Sequence, residues 1–140
     1  MEDSGLMFSW RNHPDTRRYF IDPGPLERDE HAVWLVETLG NPAKHLLIAI
    51  NGNDESVGVL RFDKQDDGAT YEVSIYLDPA RTNQGLGKET LAAGIQWLRE
   101  NTDGVTLCAT VLEQNIASQR LFAALDFMTV RSGMELEIKR

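Results

Sequence analysis

A strand, a loop with two glycines and a helix follow one another between residues 71 and 98, and this succession most limits the fold. Residues 71–77 alternate apolar and polar side chains with a period of two, which predicts a strand with one buried face. Apolar residues then recur at helical spacing over residues 88–98, so Gly85 and Gly87 lie where a loop becomes a helix. The free amides and positive dipole of a helix start favour phosphate, and glycines allow a ligand close approach.

Three kinds of loop place glycines before a helix to hold phosphate, and their spacing differs. A Walker loop would need glycine at position 82 and Ser or Thr at 89, where this chain has Thr82 and Glu89. A dinucleotide-binding loop would need a small residue at position 90, where Thr90 stands. The third pattern, Gln/Arg-x-x-Gly-x-Gly/Ala, is the pyrophosphate loop of the GNAT acyl-CoA N-acetyltransferases. Gly85 and Gly87 resemble it, although Thr82 replaces the leading Gln or Arg and Arg81 lies one residue early.

A second segment, residues 115–127, resembles the GNAT pattern Asn-x-x-Ala/Ser-x-x-Leu-Tyr/Phe-x-x-x-Gly-Phe, whose helix packs beside the pantetheine arm of the coenzyme. The matching residues are Asn115, Ser118, Leu121, Phe122 and Phe127. Asp126 stands where glycine is usual, which implies a residue that tolerates the left-handed conformation at the helix end. With the strand, glycine loop and helix before it, this segment identifies the chain as a member of the GNAT superfamily.

The other elements agree with a mixed α/β domain. The pattern predicts a short helix from residue 10 to about residue 20 with Pro14 in its first turn, and a second helix over residues 27–39. Further strands are predicted at residues 45–50, 56–62, 105–112, 127–131 and 134–138.

The resemblance implies one acyl-CoA N-acyltransferase domain over residues 1–140. In that fold a central, mostly antiparallel sheet is splayed between its fourth and fifth strands and flanked by four helices. The family also opens with a strand, for which this chain has room only at residues 6–8. That strand is therefore expected to be short or missing, or to be supplied by a partner that covers the sheet edge.

Composition limits the partners and the compartment. A net charge of −8 over 140 residues argues against nucleic acid, which needs a basic face. No apolar run reaches the roughly 18 residues of a membrane span. The single cysteine, Cys108, and three scattered histidines give no metal-ligand spacing, so we expect no metal and a cytoplasmic location. An anionic coenzyme would have to be bound by backbone amides and a few cations, for which Lys88, Arg81 and Arg120 are candidates.

The resemblance implies direct transfer of an acetyl group from acetyl-CoA, the co-substrate, to an amine. Family members bind pantetheine and the thioester carbonyl with backbone groups near the end of the fourth strand, and the pyrophosphate with loop amides. The coenzyme contacts expected here are Ile75, Leu77, Thr82, Asn83, Gln84, Gly85, Leu86, Gly87, Lys88, Asn115 and Ser118.

The general acid is where the chain departs from the family, which often uses a tyrosine in the last helix. That position is Phe122, whose ring cannot donate a proton. Glu72, Ser74 and Tyr76 share one face of the central strand, and one face should look toward the acceptor. We hypothesise that Glu72 is the general base, directly or through water, and that Tyr76 is the acid. The alternative is that both belong to a solvated or hydrogen-bonded pair.

The acceptor side is predicted from two segments, residues 10–14 and 31–35. They resemble the Arg-Asn-His/Asp-Pro and His-x-x-Trp/Phe-Leu/Ile segments of GNAT enzymes that acetylate nucleotide-linked amino sugars, as in pseudaminic acid pathways. The substrate contacts this implies are Arg11, Asn12 and His31. Arg11, with Arg17 or Arg18, could hold a diphosphate, or these residues could simply cap and tether the first helices.

Two other functions stay open at this point. Ribosomal-protein N-terminal acetyltransferases have similar opening segments and are the alternative acceptor class. A non-catalytic acyl-CoA-binding module would explain Phe122 and the missing first strand. The expected partner is a small-molecule amine, without nucleic acid or membrane, and a homodimer is compatible with the family.

Overall fold

The computed structural model describes residues 3–18, 24–81, 85–102, 106–131 and 135–139. The helices are α1 (Ser4–Asn12), α2 (Pro14–Arg17), α3 (Arg28–Leu39), α4 (Leu86–Asn101) and α5 (Ile116–Ala124). The strands are β1 (Lys44–Ile50), β2 (Ser56–Lys64), β3 (Thr70–Leu77), β4 (Thr106–Leu112), β5 (Met128–Arg131) and β6 (Glu135–Lys139), and a short 3-10 turn spans Pro79–Arg81. No helix in this described part is long and apolar enough to cross a bilayer.

The strands form one sheet in the order β1-β2-β3-β4-β6-β5. All neighbouring strands run antiparallel except β3 and β4, which are parallel because α4 connects them. The predicted mixed α/β fold with a mostly antiparallel sheet is therefore confirmed. The predicted strands also match the observed ones to within a few residues.

The strands β3 and β4 pair only at their first residues. Their ladder consists of Thr70 with Thr106, Tyr71 with Leu107, and Glu72 with Cys108. Beyond these pairs, residues 73–77 of β3 and 109–112 of β4 are not paired with each other, and the strands diverge. The predicted splay is confirmed; these two strands correspond to the family's fourth and fifth strands.

Two apolar cores, one on each face of the sheet, set the direction of every β3 side chain. The core beneath α4 and α5 includes Leu60, Phe62, Val73, Leu91, Leu98 and Phe122. The core beneath α1 and α3 includes Met7, Trp10, Leu35 and Val59, with Tyr76 packed against it. Because side chains alternate along a strand, Glu72 and Ser74 lie on the same face as Tyr76. The polar face of β3 is therefore the one that α1 and α3 cover.

The opening strand was expected to be short or missing, and in the described residues it is missing, because residues 6–8 lie inside α1. Met7 and Trp10 are buried at a spacing of three residues, which suits one face of a helix, and the short apolar run alone could not distinguish helix from strand. No strand precedes α1 in the described residues, so β1 forms one edge of the sheet.

The helix predicted from residue 10 is two helices, which raises the number of helices from the expected four to five. His13 separates α1 from α2 in an extended conformation, as a residue before proline prefers. The Asp15 N–H donates to His13 Nδ1 at 3.1 Å, and Pro14 occupies the first helical position. Residues 19 and 20 of the predicted helix lie outside the described residues.

Gly94 allows α4 to lie close to the sheet, and its replacement tests this packing. A Cβ at Gly94 would lie 2.8 Å from Leu60 Cδ1 and 3.4 Å from Phe62 Cζ, inside the larger core. Gly94→Ala is expected to lower the free energy of unfolding by about 1–3 kcal/mol through overpacking. Gly5→Ala in α1 is the control, since nothing lies within 4 Å of a Cβ there. If urea unfolding gave Gly94→Ala and the control the same free energy of unfolding, this result would contradict the close packing at Gly94.

Candidate active site

Gly85 caps the start of α4 in a conformation that other residues rarely adopt. Its φ is 74° and its ψ is 2°, and no side chain caps the helix. A Cβ built on Gly85 would meet no atom of the described residues within 4 Å, so these residues leave the space before the helix open. The glycine is needed here for its backbone conformation, and the open space leaves room for a ligand.

The first turn of α4 presents its amides to that space. None of the described residues accepts a hydrogen bond from the N–H groups of Leu86, Gly87 or Lys88. An α-helix always leaves its first amides without intrahelical partners, and the helix dipole makes this end positive. The arrangement suits an anion such as a diphosphate. Thr82, Asn83 and Gln84, which were expected to extend this site, lie outside the described residues.

Gly87 brings this helix start against the two elements that border the gap. A Cβ on Gly87 would lie 3.4 Å from Leu121 Cδ2 of α5 and 3.7 Å from Leu77 Cδ1 of β3. The neighbouring side chain of Ile75 is half-buried, as is that of Leu77. The structure therefore brings together the expected coenzyme residues at the end of β3 and at the start of α4.

The start of α5 is held by its own cap. Ser118 donates its N–H to the side-chain oxygen of Asn115 at 3.2 Å, so both predicted coenzyme residues stabilise the helix start. Asp126, which follows α5, has a φ of 71°, and the left-handed conformation expected at this position is confirmed.

Phe122 belongs to the core. It is 3% exposed and packs edge-on against Phe127, with ring centroids 4.9 Å apart. The residue at the usual acid position therefore contributes packing, as its chemistry requires.

Of the three candidate cations, Arg81 is already engaged by two carboxylates. Its Nη2 lies 2.8 Å from Glu55 Oε2 and its Nε lies 3.3 Å from Asp78 Oδ2. The expectation that Arg81 offers a spare charge to the coenzyme therefore does not fit its contacts. Lys88 and Arg120 are exposed.

The predicted catalytic pair lies along the polar face of β3. Glu72 is half-buried and belongs to the last pair of the β3–β4 ladder, where the gap begins to open. Tyr76 lies four residues farther along the same face. Burial raises the pKa of Tyr76 to about 12, against the opposing effect of the Arg11 and Arg61 charges. Tyr76 therefore keeps its proton at neutral pH.

His31 is buried between aromatic rings beside this face. It is 5% exposed, and its ring centroid lies 5.5 Å from that of Phe8 and 5.4 Å from that of Trp34. Within the described part of the chain, its Nε2 has no hydrogen-bond partner. Burial, and then the charge of Arg11, lower the pKa of His31, so the imidazole is neutral at pH 7. Arg11 acts on both His31 and Tyr76, which places the three groups in one neighbourhood.

Asn12 makes a different contact from the one that its motif suggested. The Leu26 N–H donates to Asn12 Oδ1 at 2.8 Å, which ties the end of α1 to the segment before α3. This contact makes Asn12 a tether between the two elements that border the polar face.

The sequence did not single out Arg61, or the contact that it makes with Trp34. The Arg61 guanidinium lies over the Trp34 ring at 5.5 Å, and its Nε is 3.0 Å from Asp63 Oδ1. Strand alternation could have placed Arg61 on the same face as Val59, but only the fold brings α3 over it. No group of three or more His, Cys, Asp or Glu side chains in the described residues could hold a metal ion.

Comparison with known proteins agrees with this geometry. The family model of the acetyltransferase (GNAT) domain matches residues 1–128. The uncharacterized protein MJ1062 of Methanocaldococcus jannaschii is 26% identical over 137 residues, which are 96% of this chain and 28% of that protein. The chain thus spans little more than a quarter of the length of this relative.

Solved structures share the fold at low identity. The aminoglycoside acetyltransferase AAC(6')-Ib, solved with coenzyme A, has a TM-score of 0.84 and 14% identity over 99% of this chain and 89% of that chain. The N-acetyltransferase PseH of Campylobacter jejuni has a TM-score of 0.76 and 17% identity over 99% of this chain and 89% of that chain. Together with the match of the family model, the divergent strands and the glycine-capped helix, these findings establish that the chain belongs to the GNAT acetyltransferase family.

Proposed function

We propose that the protein is an acetyl-CoA-dependent N-acetyltransferase that moves the acetyl group directly to a primary amine. One observation carries the proposal: the gap between β3 and β4 opens beside the start of α4, where Gly85 is the N-cap residue and no side chain caps the helix. The first turn of α4 would bind the diphosphate of the coenzyme. The thioester would then lie in the gap, within reach of the polar face of β3.

The unpaired edge of β3 supports this placement of the coenzyme. Residues 73–77 pair with β2 on one side but not with β4 on the other. Backbone groups of Ile75 and Leu77 on the open side would pair with the amides of the pantetheine arm and with the thioester carbonyl. Such hydrogen bonds would also stabilise the oxyanion that forms during attack.

The chemistry needs one proton removed and one supplied. The amine nitrogen attacks the thioester carbon, the carbon–sulfur bond breaks, and the sulfur leaves as a thiolate. Glu72 would accept the proton that the amine loses, directly or through water, because it belongs to the last β3–β4 pair, where the gap begins to open. Tyr76 would donate a hydrogen bond toward the departing sulfur, since its hydroxyl stays protonated.

The proposed acceptor is the amino group of a nucleotide-linked amino sugar. Arg11 supplies a cation for a diphosphate, while neutral His31 and the ring of Trp34 offer hydrogen bonding and stacking to a sugar or base. The shared fold with PseH is compatible with this acceptor class. We further propose a cytoplasmic location, because the lone Cys108 is a free thiol.

Release of coenzyme A thiol from acetyl-CoA, measured with a panel of amines, tests the activity and the role of Glu72. The panel contains nucleotide-linked amino sugars, an aminoglycoside and peptides with free N-termini. Glu72→Gln is expected to lower kcat by at least about 100-fold, because it removes the general base. The KM for acetyl-CoA should stay unchanged.

Asp66→Asn is the matched control for Glu72→Gln. Asp66 is an exposed carboxylate in the turn between β2 and β3, at the other end of these strands from Leu77. Tight coenzyme binding without thiol release on any amine would favour a non-catalytic acyl-CoA-binding module. Turnover of the peptides alone would favour an N-terminal acetyltransferase.

The role of Tyr76 is tested by Tyr76→Phe and the pH dependence of kcat. Loss of one hydrogen-bond donor at the reacting centre should lower kcat by about 10- to 100-fold. Since the pKa of Tyr76 is about 12, its ionisation should not reduce the wild-type rate up to pH 10. The two profiles should therefore have the same shape over that range. A decline of the wild type near pH 9 that the variant lacks would refute this assignment.

Arg11→Gln tests the binding of an acidic acceptor. Loss of a charge-assisted hydrogen bond should raise the KM for a nucleotide-linked amino sugar by about 10- to 100-fold, without changing the KM for acetyl-CoA. The control is Arg99→Gln, an exposed arginine near the end of α4. Equal KM values for the acidic acceptor in both variants would exclude Arg11 from its binding.

A further inference from the structure

An ion cluster connects two turns that are distant in sequence. Arg81, in the 3-10 turn after β3, reaches Glu55 in the turn between β1 and β2, with its Nη2 2.8 Å from Glu55 Oε2. The same guanidinium uses its Nε to contact Asp78 Oδ2 at 3.3 Å. One planar side chain thus bridges two carboxylates through two different nitrogens.

The turn that carries Glu55 is preorganised for this contact. Asn51 Oδ1 accepts the N–H groups of Asn53 at 2.9 Å and of Glu55 at 3.0 Å. The Asn51 amide nitrogen also donates to Glu55 Oε1 at 3.2 Å. The carboxylate is therefore held on one oxygen by the turn and on the other by Arg81.

On the other side, the cluster fixes the end of β3. The Asp78 N–H donates to the Val57 carbonyl at 2.9 Å, and the Arg81 N–H donates to the Asp78 carbonyl at 2.9 Å. Asp78 directly follows Leu77, which borders the gap. Arg81 is separated by only three residues from Gly85, which caps α4. The cluster therefore holds the chain directly after Leu77, whose side chain lies against Gly87 in the first turn of α4.

We propose that Arg81 is a positioning residue for the coenzyme: through Glu55 and Asp78 it fixes the end of β3, against which the start of α4 packs. The inference rests on the proposed function, because it assigns a role in binding acetyl-CoA. Arg81 would act without touching the coenzyme. Displacement of either wall of the binding site would misalign the amides with the diphosphate and the thioester with the gap.

The charge states agree with this role. Hydrogen bonds from Asn51 and Arg81, together with the Arg81 charge, lower the pKa of Glu55. The contacts with Glu55 and Asp78 raise the pKa of Arg81. Glu55 and Arg81 are therefore both ionised at neutral pH. Since exposed ion pairs contribute little to global stability, the cluster should affect coenzyme binding more than the melting temperature.

Titration calorimetry with coenzyme A tests the proposal in the full chain. Glu55→Gln is expected to raise the Kd about 5- to 10-fold, because it removes the anchor of Arg81. Asp66→Asn removes the same charge from an exposed site at the opposite end of the hairpin and is expected to leave the Kd unchanged. Arg81→Lys should behave like Glu55→Gln, since an ammonium cannot bridge both carboxylates.

The direction of the Glu55→Gln effect separates positioning from direct binding. If Arg81 itself bound the diphosphate, releasing it from Glu55 would lower the Kd or leave it unchanged, and the proposal would be overturned. A parallel fall in melting temperature and in affinity for both substrates would show a purely structural role and would also overturn it. Absence of coenzyme binding by the wild type would instead contradict the proposed function.

Discussion

The divergence of β3 from β4 is the constraint on which the rest of the site depends. On the side away from the gap, each strand pairs with its other neighbour: β3 pairs with β2 as far as Leu77, and β4 pairs with β6 as far as Leu112. Side chains of both strands, including Val73 and Val111, pack into the core beneath α4 and α5. Buried backbone groups are rarely left unpaired. The open edges therefore favour an extended ligand with its own amides, as the pantetheine arm of coenzyme A has.

The proposed coenzyme is an anion, whereas the chain as a whole is acidic. Two features of the chain place positive charge locally. The net charge is −8, yet the start of α4 attracts anions through backbone amides and a dipole, which need no basic side chain. Arginines are then used locally. Arg81 pairs with the carboxylates of Glu55 and Asp78, while Arg11 and Arg61 place positive charge near Tyr76. Anion binding at the proposed site thus depends on the positions of nearby charges and little on the net charge of the chain.

Local patterns predicted the sheet well because strand periodicity and turn residues are read over a few neighbouring positions. The glycine spacing and the segment from Asn115 also predicted the starts of α4 and α5, beside which we propose that the coenzyme lies. At residues 6–8 the sequence left open whether a short strand forms, because three apolar residues suit either a strand or a helix, and packing of α1 on the sheet decided the outcome. The contact between Glu55 and Arg81 spans 26 residues, so it could not be inferred before the fold was known.

The packing of Phe122 against Phe127 changes how the leaving thiolate can be neutralised. Tyr76 has a pKa of about 12, whereas an ordinary thiol has a pKa of about 8.5, so complete proton transfer from this tyrosine to sulfur would be uphill by about 5 kcal/mol. Tyr76 is therefore better suited to stabilise the thiolate through a hydrogen bond. In the proposed mechanism, the proton itself would be supplied by the carboxylic acid that Glu72 would become on deprotonating the amine. One carboxylate at the opening of the gap would then serve as base and, through water, as acid.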